Sequence, residues 1–318
     1  MAKKWRVVKR VLLALAALVV LLAAGTAGAL GWFLHRTPGN VFDSNGVPIY
    51  YTDEGAGEPV ILVHGVAANA DLNWRKPGVV RALSGDFRVI TMDLRGHGLS
   101  GKPTDPAQYG MEMIEDITRL MDHLGLEKAH VAGYSLGGFL VLKLVTTHPE
   151  RVRSAAVCAA GWSSLVKELD DIPAPYEKPV PVRQKRPDPE APAAPPAPPA
   201  EGASQDSARP SPKAPNPLID WLRNEIGDFV VGDKAPIKAM KKRFLDLTVA
   251  REEIARNQVP TLCVIGDNDG LYYLGKELGE IMGAVEYVEL RGPNHLTTPA
   301  DRKFKETLLD FFRRQRTG

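Results

Sequence analysis

Lys128-Ala-His-Val-Ala-Gly133-Tyr-Ser135-Leu-Gly137-Gly-Phe-Leu-Val-Leu-Lys-Leu-Val145 is the stretch on which the reading of this chain turns. A short apolar run meets Gly133-Tyr-Ser-Leu-Gly137 and continues as an apolar segment with helical spacing, which reads as strand, sharp turn, helix. A serine at such a turn takes a strained backbone, and glycines two before and two after it remove the side chains that would collide as strand and helix fold past each other. The Ser135 hydroxyl is thereby pushed into a cleft. It also sits at a helix N-terminus, where the amide of Leu136 and the helix dipole can stabilise a developing oxyanion. Taken alone, the pentapeptide equally fits a glycine-rich turn that packs a helix on a sheet, so its context decides.

Three further stretches supply that context. Upstream, Val60-Ile-Leu-Val-His64-Gly65-Val66-Ala67 is a run of β-formers ending in His-Gly, placed to bring the amide of Val66 beside that of Leu136 as a second oxyanion donor. Downstream, Thr261-Leu-Cys-Val-Ile-Gly266-Asp267-Asn-Asp269 is a buried strand running into an acidic turn. After one more strand, Glu286 to Leu290, comes Gly292-Pro-Asn-His295.

On these residues the sequence resembles the α/β-hydrolase fold superfamily. His64-Gly65, Asp93-Leu-Arg95-Gly-His97-Gly-Leu-Ser100, Gly133-x-Ser135-x-Gly137, Gly266-x-x-Asp269 and the late His295 match the family's pattern in order, over roughly residues 41–160 and 259 to the C-terminus. The order serine, acid, histidine is that of these hydrolases and differs from the chymotrypsin and subtilisin orders. The resemblance implies Ser135 as nucleophile, His295 as general base and, by the G-x-x-D spacing, Asp269 as the acid that holds the imidazole tautomer. Asp267 then reads as a turn-former whose side chain bonds nearby amides. It further implies that His64 and Gly65 shape the oxyanion loop, and that Asp93, Arg95, His97 and Ser100 brace the loops around the site.

Strands alternate with helices along the chain: strands at Val47 to Thr52, in the Val60 run, at Phe87 to Met92, before Ser135, at Val152 to Ala160 and in the two late segments. An amphipathic helix spans Met111 to Leu124, with Ile114, Ile117, Leu120, Met121 and Leu124 on one face, and Leu72 to Leu83 forms a helix broken by Pro77-Gly78. The expected fold class is α/β, with a mostly parallel central sheet and helices on both faces, and ligands then gather at the carboxyl ends of the strands. Between Gly161 and Gln258 the pattern breaks. Residues 171–217 are dominated by Pro and Ala and cannot bury a core, so composition predicts a disordered arm. Helical periodicity returns from Leu218 to Ala255, and by the resemblance this part forms a small helical lid. The organisation read here is 1–36 basic flank and membrane anchor, 37–161 first core part, 162–257 lid insertion and 258–318 second core part.

Five cations, Lys3, Lys4, Arg6, Lys9 and Arg10, precede Val11 to Leu34, an uncharged stretch of about 24 residues where roughly 20 span a bilayer. Trp5, Trp32 and Phe33 lie where interfacial aromatics belong, and the basic flank predicts a cytoplasmic N-terminus with the rest of the chain outside. The rival is a signal peptide cleaved near Ala29, after Ala27-Gly-Ala29. A net charge of +2 gives no footprint for nucleic acid. The two cysteines, Cys158 and Cys263, read as core residues and cannot make a disulfide framework. No histidine stands at metal-ligand spacing with cysteines or carboxylates and no G-x-G-x-x-G follows a first strand, so neither metal nor cofactor is expected.

The expected activity is hydrolysis of a small acyl substrate, a carboxylic ester first, through an acyl-enzyme on Ser135. Carbon-carbon bond hydrolysis, lactone opening, perhydrolysis and acyl transfer are alternatives on the same triad. Haloalkane dehalogenase and epoxide hydrolase chemistry are disfavoured, because those relatives place an aspartate where Ser135 stands. A catalytically silent scaffold is the non-enzymatic alternative.

Overall fold

β-Branched and aromatic runs bounded by turn residues fold into eight strands of one sheet in a computed structural model that describes residues 25, 26, 28, 31, 32, 34–162 and 234–316. The strands are β1 (Asn40–Ser44), β2 (Val47–Glu54), β3 (Pro59–Val63), β4 (Arg88–Met92), β5 (Ala129–Tyr134), β6 (Val152–Cys158), β7 (Thr261–Gly266) and β8 (Val285–Leu290). Their spatial order is β1-β2-β4-β3-β5-β6-β7-β8. From β4 to β8 every pairing is parallel, whereas β1 and β2 join antiparallel at one edge.

Helices cover both faces. On one face lie α2 (Met111–His123), α3 (Leu136–Thr147) and α6 (Tyr272–Ile281), and on the other α1 (Val79–Leu83) and α7 (Arg302–Arg314). Ile114, Ile117, Leu120 and Met121 of α2 are fully buried, as their spacing predicts. The helix expected over Leu72 to Leu83 is split at Pro77-Gly78 into a π-helical turn, Asp71–Arg75, and α1, because Gly78 turns the chain through φ 88°. The first strand, Asn40–Ser44, was not among the expected elements; its alternation Val41 out, Phe42 in, Asp43 out, Ser44 in spans too few residues to stand out in sequence.

Cys158 and Cys263 lie on adjacent strands but on opposite faces of the sheet, since Cys158 pairs with Val264 and Cys263 with Val157. They are separate core residues, and burial pushes the Cys263 thiol up to about 12.

The Pro/Ala arm at 171–217 and the first part of the expected lid lie outside the described residues. Its second part forms α4 (Ala235–Lys241), a short turn at Phe244–Leu247 and α5 (Arg251–Arg256). Phe244 meets Phe139 of α3 edge-on at 5.6 Å, and Trp162 donates from Nε1 to the Val249 carbonyl at 2.7 Å. Most of the expected membrane span, Val11 to Leu34, is likewise outside the described residues. Among those described, no helix is long and apolar enough to cross a membrane. Arg36, at the expected boundary, reaches Asp71 and Asp93 of the core.

Candidate active site

Ser135 follows β5 and caps α3 with φ 53° and ψ −117°, a conformation that costs on the order of 1–3 kcal/mol for a residue with a side chain. The flanking glycines are required sterically. A Cβ on Gly133 would sit 1.9 Å from the Gly137 carbonyl oxygen, and one on Gly137 would sit 2.2 Å from that of Val63. The chain can therefore turn tightly enough to project the serine only with hydrogen at both positions.

His295 Nε2 lies 2.9 Å from Ser135 Oγ, and its Nδ1 lies 2.9 Å from both carboxylate oxygens of Asp269. A carboxylate only accepts, so Nδ1 carries the proton and Nε2 is left to accept from the serine hydroxyl. Asp269 is fully buried and also accepts the Leu271 amide at 2.9 Å, which fixes the carboxylate plane. Asp267 points elsewhere: it accepts the Gly292 amide at 2.8 Å and closes the turn between β7 and the histidine loop. The structure thus joins Ser135, His295 and Asp269 and leaves Asp267 as a turn-former.

The loop after β3 lies against the nucleophile, since a Cβ on Gly65 would come within 3.0 Å of Ser135 Cβ. Gly65 donates its amide to Asn73 Oδ1 at 2.9 Å. His64 is fully buried, donates from Nδ1 to the Gly65 carbonyl at 2.7 Å and accepts the Leu94 amide on Nε2 at 3.0 Å. Burial lowers its pKa, which keeps the ring neutral and able to do both. Ala67 holds φ 56°, so this loop stores strain beside the Val66 amide. Leu136 is the first residue of α3, where helix geometry leaves an amide without an intrahelical acceptor. The Val66 and Leu136 amides thus belong to the two segments that flank Ser135.

The turn after β4 locks this loop in place. Asp93 accepts the Ala70 amide on Oδ1 and the Leu99 amide on Oδ2, each at 2.8 Å, while Ser100 Oγ donates to the Asp93 carbonyl and accepts the Tyr50 amide. Arg95 turns away to a buried bidentate pair with Asp116 at 2.6 Å, which also accepts Ser44 Oγ. His97 is held near a pKa of about 3 by burial and then by neighbouring His64, whose ring lies 5.3 Å away.

Tyr134 and Asn73 were not among the expected site residues. The buried Tyr134 hydroxyl donates to the His295 carbonyl at 2.6 Å, pinning the histidine loop to the strand that carries the serine. Burial, followed by the charge of Asp269, pushes its pKa up, so it remains a donor. The variable position inside Gly-x-Ser-x-Gly carries no signal for this contact, and an asparagine eight residues after Gly65 carries none either. Among the described residues no group of histidines, cysteines and carboxylates is arranged to hold a metal ion.

The family model described as the alpha/beta hydrolase fold matches residues 58–179. A protein of Azorhizobium caulinodans named as a carbamate hydrolase is 38% identical over 115 residues, covering 36% of this chain and 42% of that protein. A 2-hydroxymuconate semialdehyde hydrolase of a Pseudomonas species is 38% identical over 125 residues, covering 38% and 43%. This chain therefore aligns with less than half the length of these curated relatives. Among solved structures, a meta-cleavage product hydrolase of Pseudomonas fluorescens superposes with a TM-score of 0.63 at 20% identity, covering 87% of this chain and 98% of that one. A membrane phospholipase A superposes with a TM-score of 0.61 at 19% identity, covering 99% and 100%. Strand order, the strained serine turn and the family match over residues 58–179 converge on the α/β-hydrolase fold.

Proposed function

We propose that this chain is a serine hydrolase that cleaves a carboxylic ester through an acyl-enzyme on Ser135. The observation that carries the reading is the unbroken relay from Ser135 Oγ through His295 to buried Asp269. His295 Nε2 takes the serine proton as Oγ attacks the carbonyl, and the amides of Val66 and Leu136 stabilise the oxyanion. The imidazolium, held by Asp269, returns the proton to the leaving alcohol. Water, activated by the same histidine, then releases the acid. The second reading is carbon-carbon bond hydrolysis on the same residues, favoured by the relative named 2-hydroxymuconate semialdehyde hydrolase and the structure named a meta-cleavage product hydrolase.

Labelling by a fluorophosphonate probe and a screen of p-nitrophenyl esters of rising chain length test the proposal. Wild type is expected to label and to hydrolyse, and Ser135→Ala to do neither while keeping its fold. Substantial hydrolysis by folded Ser135→Ala rules out the acyl-enzyme on this residue.

The same proposal places the enzyme in a membrane, held by Val11 to Leu34 with the catalytic domain on the extracytoplasmic side. The basic flank and the length of the apolar stretch support it. Full-length protein is expected to resist carbonate extraction. Recovery of a soluble form beginning near Leu30 would establish a cleaved signal peptide instead.

A further inference from the structure

The segment between the apolar N-terminal stretch and β1 is tied into the floor of the candidate oxyanion loop. Arg36 donates from Nε to Asp71 Oδ2 at 3.0 Å and from Nη2 to Asp93 Oδ2 at 2.5 Å. Thr37 adds its amide to Asp71 Oδ2 at 2.9 Å and its hydroxyl to Oδ1 at 2.7 Å, and the Tyr50 hydroxyl donates to the Thr37 carbonyl. Both carboxylates are buried. Asp71 has a second cation in Arg75, at 3.0 Å, whereas among the described residues Arg36 is the one cation in ion-pair contact with Asp93.

These two carboxylates meet where the loop after β3 enters the π-helical turn. Asp93 Oδ1 fixes the Ala70 amide, and Asp71 opens the π-helical turn that carries Asn73, the acceptor of the Gly65 amide. Between Gly65 and Ala70 lie Val66, the candidate oxyanion donor, and strained Ala67. A loop that stores strain keeps its shape only where its surroundings over-determine it. Removing the guanidinium leaves the buried Asp93 carboxylate with its two amide donors but without its cation, a strongly unfavourable arrangement. The loop then relaxes by drawing water or shifting Asp93, and the Val66 amide moves with it.

We infer that Arg36 is a positioning residue for the oxyanion loop: by bridging Asp71 and Asp93 it holds the Val66 amide where the transition-state oxygen develops. The inference rests on the serine-hydrolase reading for its catalytic consequence, but the clamp itself is readable without turnover. Its effect falls on kcat, because a misplaced oxyanion donor weakens the transition state more than the bound ester.

The test compares full-length wild type, Arg36→Gln and Arg36→Lys in detergent. The readouts are kcat and KM for p-nitrophenyl butyrate and hydrogen exchange of peptides spanning residues 64–75 and 302–314. Arg36→Gln is expected to lower kcat about 10–100-fold with KM within about twofold, just short of the loss seen on deleting an oxyanion donor outright. Exchange should quicken over 64–75 and stay unchanged over α7. Arg36→Lys, which keeps the charge but cannot bridge both carboxylates with a fork, should fall between the two. Wild-type kcat in folded Arg36→Gln overturns the inference, and so does unaltered exchange over 64–75. Should Arg36→Gln fail to fold, wild-type kcat in Arg36→Lys overturns it equally. If wild type neither hydrolyses ester nor takes up fluorophosphonate, the hydrolase reading fails, and quickened exchange in Arg36→Gln still establishes the clamp.

Discussion

The two halves of the candidate site are built differently. On the serine side, Gly65, Asn73, His64, Asp93 and the nucleophile turn form a network of buried groups, each amide or carboxylate with a named partner. On the histidine side, His295 hangs in a loop closed by Asn294, whose side chain is bonded to the exposed amides of Leu296 and Thr297, and Leu296 next to it is 87% exposed. Asp269, Ser135 Oγ and the Tyr134 hydroxyl hold the histidine itself, while Asp267 and Asn268 bond the exposed turn before it. The contrast follows from what each half must do. Oxyanion donors help only if their dipoles are oriented before charge develops, so they need a rigid surround. A general base must exchange protons with substrate and water, so its edge has to remain accessible.

The sharpest way to break this comparison is at the acid. Asp269→Asn removes the group that holds Nδ1–H and is expected to lower kcat about 10⁴-fold, as loss of the orienting carboxylate does in other triads. Asp267→Asn, which keeps a side-chain oxygen for the Gly292 amide, should stay within about threefold of wild type, as a change outside the catalytic unit. Ester hydrolysis rates for the two variants decide it, and the reverse ranking would mean that the turn supplies its acid from Asp267.

A second pair sets the rigid half against the open one. Asn73→Ala strands the buried Gly65 amide and is expected to cost about 1–3 kcal/mol of stability as well as activity. Asn268→Ala, whose amide group donates to the Gly292 carbonyl at the exposed turn, should change stability by less than about 0.5 kcal/mol. Urea midpoints of the two variants give the comparison. Equal losses would show that the histidine loop is as tightly built as the serine side.

A third comparison is in pH dependence. His97 is buried with its pKa near 3, lowered by burial and by His64, whereas in the unfolded chain it titrates near the ordinary histidine value of 6.5. Between those values the unfolded chain binds the extra proton, so stability rises with pH there and is lost as pH falls below about 6.5, by at most about 1.4 kcal/mol per pH unit for this group. Replacing His97 with Gln should flatten the decline in melting temperature between pH 6.5 and 5. An unchanged slope would show that other groups, His64 and His130 among them, carry the acid sensitivity.

Much of the fold was legible in the sequence because its signals are local. Alternating strand and helix periodicity, the Gly-x-Ser-x-Gly turn and the Pro77-Gly78 break each act within a few residues, where sterics and hydrogen-bond geometry leave one solution. Gly133 and Gly137 could be read as steric necessities before any coordinate, and the backbone contacts at 1.9 and 2.2 Å are that same argument in numbers. Choosing Asp269 over Asp267 needed the family spacing. Nothing local separates two aspartates two residues apart until one is seen buried against His295.

What only the tertiary structure decided are contacts between residues far apart in the chain. Tyr134 reaches the His295 carbonyl across 161 positions, and Arg36 reaches Asp93 across 57. The antiparallel edge of β1 and β2, and the placing of Cys158 and Cys263 on opposite faces, depend on strand order and register. None of these leaves a mark on neighbouring residues, because a side-chain donor finds its acceptor only after the sheet has brought two distant strand ends together. By itself the sequence determined which residues could do the chemistry and roughly where strands and helices lie. The packed sheet decided which of them meet, since burial converts a polar side chain from a solvated group into one that must find a partner.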